Sequence, residues 1–303
     1  MPDSLITRKS TLFPEQLVTD LYSKVAGHSS LAKLCGATPM PFNGFKTFVF
    51  TMDNEASLVG EGEAKPAGDA KTEPVVVTPH KFIYQHRLSD EFMNAAEEVQ
   101  MAYLQTFADG FGKKIARALD IAAMHGLNPR TMTPASALTG ADFDSKITNK
   151  VTYASTTPDD NIDAAIAMLL AADCQATGMA LSPAFGAAMA KVKVNGVVQY
   201  PEFRFGQIPS GFAGFGVDIN NTVPLKDTTA NTTAKTDHAI IGNFRDCFKW
   251  GYAKDIPLEI IEYGDPDGQG RDLKRYNEIC LRTEAYIGFG ILDPDAFALI
   301  QAQ

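Results

Sequence analysis

The sequence predicts an α+β fold organised around one long helix, and three observations carry that expectation. Residues 89–124 keep an amphipathic helical period, two runs rich in aromatic and β-branched residues flank a polar tip just before it, and the C-terminal third turns to strands. In the helix Phe92, Ala96, Val99, Tyr103, Phe107, Phe111, Ile115, Ala118 and Ala122 recur at steps of three or four. Ser89 is placed to cap the first turn, Asp90 and Glu91 suit the positive end of the helix dipole, and His125-Gly126 supplies the stop. At about 1.5 Å per residue such a rod is roughly 50 Å long, enough to cross a domain. Gly110 and Gly112 mark the place where a bend is expected.

The 303 residues are 45% hydrophobic, which suffices for a sizeable core in two lobes or in one lobe with large extensions. No run approaches about eighteen consecutive apolar residues, and MPDSLITRKS lacks the apolar segment of a secretory signal. The chain is therefore expected to fold where it is made, with no membrane partner. Cys35, Cys174, Cys247 and Cys280 lie far apart without a Cys-x-x-Cys pair, so buried thiols are expected in place of a zinc ribbon or a disulfide framework. A net charge of −9 argues against a dedicated nucleic-acid reader, which needs a basic stripe, but leaves room for a protein that merely encloses nucleic acid.

Along the chain, Pro14 opens a short helix with an apolar stripe of Leu17, Val18, Leu21 and Val25, closed by Gly27, and a turn-rich stretch follows to Gly44. So little structure in some forty residues cannot build its own core, and the segment reads as an arm lying along something else. Phe45–Met52 and Val75–Arg87 have strand composition, and the tip between them, NEASLVGEGEAKPAGDAKTEP, has almost no large apolar group. From Asp53 to Glu73 the tip carries six acidic residues against two lysines, a net charge of −4, so its partner surface should be basic. A tip of this length exceeds an ordinary hairpin loop, and a flap that cannot bury itself is expected to dock on another subunit. After the helix, Thr157-Pro158-Asp159-Asp160 starts a second helix with a stripe of Ile162, Ala165, Ile166, Leu169 and Leu170, and Ser182-Pro183 starts a third behind a strand at Met179–Leu181, which together suggest an α/β lobe. Residues 220–234 form a Thr/Asn tract of surface-loop character; strands are expected at 239–241, 247–253, 256–263 and 276–288, with a final turn at Asp293-Pro294.

Nothing in the chain has a catalytic pattern: there is no Gly-x-Ser-x-Gly elbow, no His-Glu-x-x-His and no Cys/His signature. GEGEAKPAG lacks the Gly-Lys-Ser/Thr ending of a phosphate loop, and its carboxylates would repel phosphate. The run from Asp265 to Asp272 has oxygen ligands between glycines, like half a calcium loop, but the closing Glu is missing and strands flank it, so a hairpin turn is favoured over a bound cation. His28, His80, His86, His125 and His238 are scattered and read as ordinary polar histidines. No metal, cofactor or catalytic residue is expected.

Taken in order, the arm, the hairpin LVGEGEAKPAGDAKTEPVVVTPHKFIYQHRLSDEF, the long helix, the Ala-rich lobe and the block HAIIGNFRDCFKWGYAKDIPLEIIEYGDPDGQG resemble the major capsid proteins of tailed bacteriophages with the Hong Kong 97 fold. The resemblance implies an N-terminal arm at 1–46, an extended loop at 47–87 and a peripheral domain with its spine helix at 88–150. An axial domain at 151–245 would follow, and 246–303 would supply peripheral strands and return to the axial domain. It implies a non-enzymatic subunit that tiles into hexamers and pentamers of an icosahedral shell around double-stranded DNA, a virion protein assembled in the host cytoplasm. A portal, a decoration protein and a separate scaffolding protein are the implied partners, the last because no long charged helix stands before the arm. Contacts between subunits are expected to pair Glu61, Glu63, Lys65, Asp69 and Lys71 of the flap with Lys113, Lys114 and Arg117 of a neighbour's spine helix. Some family members join a loop lysine to an asparagine; Lys65, Lys71 and Asn277 are the available groups, but no carboxylate marks a site for that chemistry, and cross-linking is not expected. An encapsulin-like nanocompartment shell is the alternative on the same fold, and a soluble α/β enzyme the alternative outside it.

Overall fold

The computed structural model describes residues 28–52, 56–68, 70–94, 97–225, 236–254 and 258–302. The expected arm helix and the Thr/Asn tract beyond residue 225 lie outside the described residues. In chain order the elements are α1 (Ser30–Leu34), β1 (Phe45–Met52), β2 (Ala70–Val77), β3 (Pro79–Ser89), α2 (Glu97–His125), α3 (Phe143–Lys146), β4 (Lys150–Thr152), α4 (Pro158–Ala171), β5 (Gly178–Leu181) and α5 (Pro183–Met189). They continue with β6 (Lys193–Val194), β7 (Val197–Val198), β8 (Gly216–Ile219), β9 (Asp237–Gly242), α6 (Phe244–Cys247), β10 (Phe248–Lys254), β11 (Leu258–Ile261), β12 (Glu278–Ile291) and β13 (Phe297–Gln301).

The long helix ends as expected: Gly126 takes a left-handed φ of +64° and donates its N–H to the Ala122 carbonyl over 3.1 Å. Its start differs. Ser89 is the last residue of β3, because the β12 ladder extends to the Ser89–Glu278 pair, and a 3-10 turn at Asp90–Asn94 follows, in which Ser89 Oγ accepts the Glu91 N–H. Cross-strand pairing overrides the local capping signal, and the helix runs without interruption through Gly110 and Gly112. Its two halves have different roles. Toward the N-terminus Tyr103, Phe107 and Phe111 pack on β3 through Tyr84 and His86, with His86 Nε2 2.6 Å from the Tyr103 hydroxyl, while Val99 is exposed. Toward the C-terminus Leu119, Ala122, Ala123 and Met124 sink wholly into the main core.

Two sheets build the body. In the first, β12 runs down the middle with β3 along one edge and β10 and then β11 along the other. In the second, the order is β4-β13-β9-β5-β8, a mixed sheet in which β13 brings the C-terminal residues to a central position. Successive residues of its strands serve opposite faces: Phe297, Leu299, Ile240 and Ala180 enter the main core under α2, whereas Ala298, Ile300, Ala239, Ile241, Met179 and Leu181 enter a second core roofed by α4 and α5. In α4, Ile162, Ala165 and Leu169 are buried as expected, but Leu170 is exposed. The Ser182 cap of α5 is present, its Oγ accepting the Phe185 N–H over 3.1 Å. Of the four free cysteines only Cys35 and Cys280 are fully buried; Cys174 and Cys247 are half-buried, and burial pushes all four thiols up, Cys247 to about 11.

The described start of the chain is not mere turns. It contains α1, a helix too short to hold itself, which Asp120 of α2 pins from outside. One Asp120 oxygen accepts the Ser29 hydroxyl and the Leu31 N–H, and the other accepts the Ser30 N–H at 2.9 Å and the Thr222 hydroxyl at 2.9 Å. Asp218 of β8 accepts from Ser30 Oγ and Lys33 Nζ on the far side. Residues 38–40 then run along the outer edge of β10, through Thr38 N–H to the Trp250 carbonyl at 2.8 Å and Met40 N–H to the Tyr252 carbonyl at 3.2 Å. Gly251 and Gly288, paired across β10 and β12, let this segment cross closely, since a Cβ on Gly251 would collide with the Thr38 carbonyl and one on Gly288 with Met40. Asp120→Asn replaces one accepting oxygen by a donor facing two donors, so it should cost about 2 kcal/mol or more of stability, read as a lowered denaturation midpoint of the purified subunit.

Candidate inter-subunit surface

The flap is a two-stranded antiparallel ribbon in register from Phe45–Val77 to Met52–Ala70. The second expected strand is in fact two, β2 and β3, parted at Thr78, and β2 starts earlier than expected, at Ala70. Lys71 consequently belongs to the ladder, opposite Thr51, and not to the tip. Pro74, which cannot donate, is tolerated because a ribbon strand is also an edge strand. At the tip Glu63 Oε2 accepts the Gly60 N–H over 3.1 Å in a local turn, and Glu61, Glu63 and Lys65 are all exposed. Asp69 lies outside the described residues. Leu58 is 101% exposed and Phe48 on the ribbon 66%, so apolar as well as acidic groups stand in solvent.

Lys113, Lys114 and Arg117 lie on the exposed side of α2 and pair with no carboxylate among the described residues. Beside Lys114 and Arg117 the helix and β3 enclose a groove of about 880 Å³, floored by Phe111, Ile115 and Ala118 and walled by His80–Gln85 and Asn128–Arg130. Ile83 and Tyr84, both on β3, are 52% and 42% exposed there. The cationic helix face was legible from residue types; the groove was not, because it exists only where β3 packs on α2.

The acidic loop between β11 and β12 is a hairpin connection, and the charge it surrounds is a guanidinium. Arg87 of β3 donates to Asp265, Asp267, Glu278 and the Arg271 carbonyl. The hydrogen bond from Arg87 holds the Asp267 carboxyl down at about 2. Asp265 also accepts the N–H groups of Gln269 and Gly270, and Asp272 those of Gly264 and Arg275. Asn277, with φ +53°, is exposed beside this loop, as Lys65 is on the flap.

The phage capsid family matches residues 10–302 of the chain. A solved structure from Mycobacterium phage Ogopogo is similar with a TM-score of 0.77 and 35% identity, covering 91% of this chain and 92% of that one. One from Gordonia phage Cozz has a TM-score of 0.74 at 23% identity, over 91% and 87%. A chain from the capsid of a native GTA particle has a TM-score of 0.63 at 13% identity, over 90% and 89%. These last two likenesses speak for the fold alone. No curated protein matches the sequence. With a flap whose described tip side chains stand in solvent, the fold defines a structural protein that associates with copies of itself into a shell. The chain belongs to the phage capsid family and is a major capsid protein of the Hong Kong 97 fold.

Because Asp267 is held below the ordinary carboxylate range, the Arg87 tie contributes stability above about pH 4 and loses it as the pH falls through about 2. Limited proteolysis should find the loop protected at neutral pH in the natural protein. In Arg87→Ala cleavage within residues 262–277 should be several-fold faster.

Proposed function

We propose that this subunit closes into hexamers and pentamers of an icosahedral shell around double-stranded DNA, with the flap as the clasp between neighbours. One observation carries the reading: β1 and β2 form a ribbon whose tip side chains are exposed, and an isolated two-stranded ribbon is marginal in water. It needs a surface that its own chain does not give it. In this reading Glu61, Glu63 and Asp69, with Lys65 and Lys71 beside them, lie over Lys113, Lys114 and Arg117 of the next subunit, and Leu58 enters that subunit's groove between β3 and α2. The apolar contact supplies affinity, while exposed ion pairs, worth about 0.2–1 kcal/mol each, set register. Such a contact is heterologous, so repetition around an axis closes a ring.

The five-stranded sheet with α4 and α5 serves as the axial domain, the β12 sheet with α2 as the peripheral domain, and the β1–β2 ribbon with its tip as the extended loop, whose expected end at 87 draws back to Thr78 because β3 pairs along β12. A subunit of this kind needs no catalytic group, cofactor or cross-link, and with a net charge of −9 it encloses DNA without reading it. Family resemblance extends the partners to a scaffolding protein, a portal and a decoration protein, and the place of assembly to the host cytoplasm. Membership of the phage capsid family favours this reading over a nanocompartment shell or an enzyme.

Two experiments test it. Negative-stain microscopy of the overexpressed chain, with and without a scaffolding partner, should show shells that run as a single monomer band on a denaturing gel; a stable monomer at micromolar concentration would sink the proposal. Reversing the charge at Lys113, Lys114 and Arg117 together should lower particle yield several-fold or shift assembly to a narrower salt range. An unchanged yield would detach the flap from this face.

A further inference from the structure

His125 ends α2 with its ring fixed from one side: Nε2 lies 2.8 Å from the Thr222 carbonyl. That contact keeps a proton on Nε2 and turns Nδ1 toward the carboxylates. Nδ1 faces two carboxylates brought from distant parts of the chain, Asp144 Oδ2 of α3 at 2.8 Å and Asp237 Oδ2 of β9 at 3.6 Å. Gln301 of β13 donates to the other Asp237 oxygen over 2.7 Å and so aims Oδ2 into the cluster. Asp237 is fully buried, and its Oδ2 has no hydrogen-bond partner; Asp144 Oδ1 is likewise buried and unpartnered. The hydrogen bond between Nδ1 and Asp144 Oδ2 still leaves one oxygen of each carboxylate orphaned, an incomplete arrangement, because buried charge needs a counter-ion or a proton.

We propose that His125 Nδ1, Asp144 and Asp237 bind one divalent cation of the zinc type, tying the end of the long helix to the five-stranded sheet. One nitrogen and two carboxylate oxygens are a donor set that zinc accepts, at about 2.0–2.2 Å from each. Ligands at that radius in a tetrahedron stand about 3.3 Å apart, and the two separations from Nδ1, 2.8 and 3.6 Å, bracket that value. The three candidate atoms all fall within 4.8 Å of one another. The outer contacts are also of the right kind: a backbone carbonyl fixes the histidine tautomer and an amide orients a carboxylate. Asp144 is 32% exposed while its two companions are buried, so the cluster borders solvent on the Asp144 side. Of the other charged groups nearby, Asp142 is occupied as the α3 cap by Ser145, and Lys150 Nζ bonds the Asp144 carbonyl. All three ligands belong to one chain, so the site stands whether or not the flap contact proposed above is right.

The test uses the full chain purified without chelator. Metal content by mass spectrometry should be about one zinc per chain. After treatment with chelator, added zinc should raise the melting temperature by roughly 5 °C or more in the natural protein and leave Asp237→Asn unmoved. The asparagine is chosen because its amide can donate to Asp144, imitating a proton shared between the carboxylates while removing the anionic ligand. Absence of bound zinc, together with no shift on adding it to the natural chain, overturns the proposal in favour of a shared proton. A shift that Asp237→Asn retains overturns it as well, by placing the ion elsewhere. If the variant fails to fold, metal content and the shift of the natural chain decide the matter.

Discussion

The buried carboxylate of Asp120 is the constraint on which the arrangement of this subunit depends. It sits in the half of the long helix that is buried in the main core, and burial raises its pKa to about 6 despite the donors around it. Those donors come from three places: the N-terminal end of α1, the Ser29 side chain that caps it, and Thr222 in the turn after β8. A carboxylate needs several donors to tolerate such burial, and here the need itself gathers the segments. The arm start, the helix and the five-stranded sheet are thus brought into register by one side chain. From α1 the chain passes to the Trp250 edge, where the indole N–H donates to the Cys35 carbonyl over 2.7 Å, and only then reaches the flap.

With the body held in this way, the flap can remain unsatisfied. A monomeric protein with exposed Phe48, Val76 and Leu58 on an edge-strand ribbon would invite uncontrolled pairing. In the reading proposed here a shell subunit puts the same property to use, since the contact that hides those groups would also build the particle. In the contact proposed here the acidic tip and the cationic helix face would act as a filter: like ends repel, which favours flap on spine over flap on flap.

Features that depend on local chemistry were legible in the sequence. The Gly126 stop, the Ser182 cap, the Pro158 helix start, the polar tip and the final turn at Asp293 each follow from residues within a few positions of one another. Features that depend on distant partners were not. Ser89 has every mark of a helix cap, yet Glu278 draws it into a strand; α1 is only five residues long and depends on Asp120; the parting at Thr78 is hidden inside a continuous run of strand-forming residues. The same distinction runs through the candidate surface. Charges on the tip and helix could be read one residue at a time, whereas the groove, the Arg87 tie and the cluster at His125 join segments that nothing in the linear order connects.

The single residue Thr78 between β2 and β3 has a mechanical consequence. A pull along the flap enters β3 directly, and β3 is zipped to β12 over eleven residue pairs, from Ser89–Glu278 to Pro79–Gly288. Loaded along its length, such a ladder strains its rungs together instead of peeling them one by one. Tension on the flap is therefore delivered to the middle strand of its sheet, which is paired along both edges.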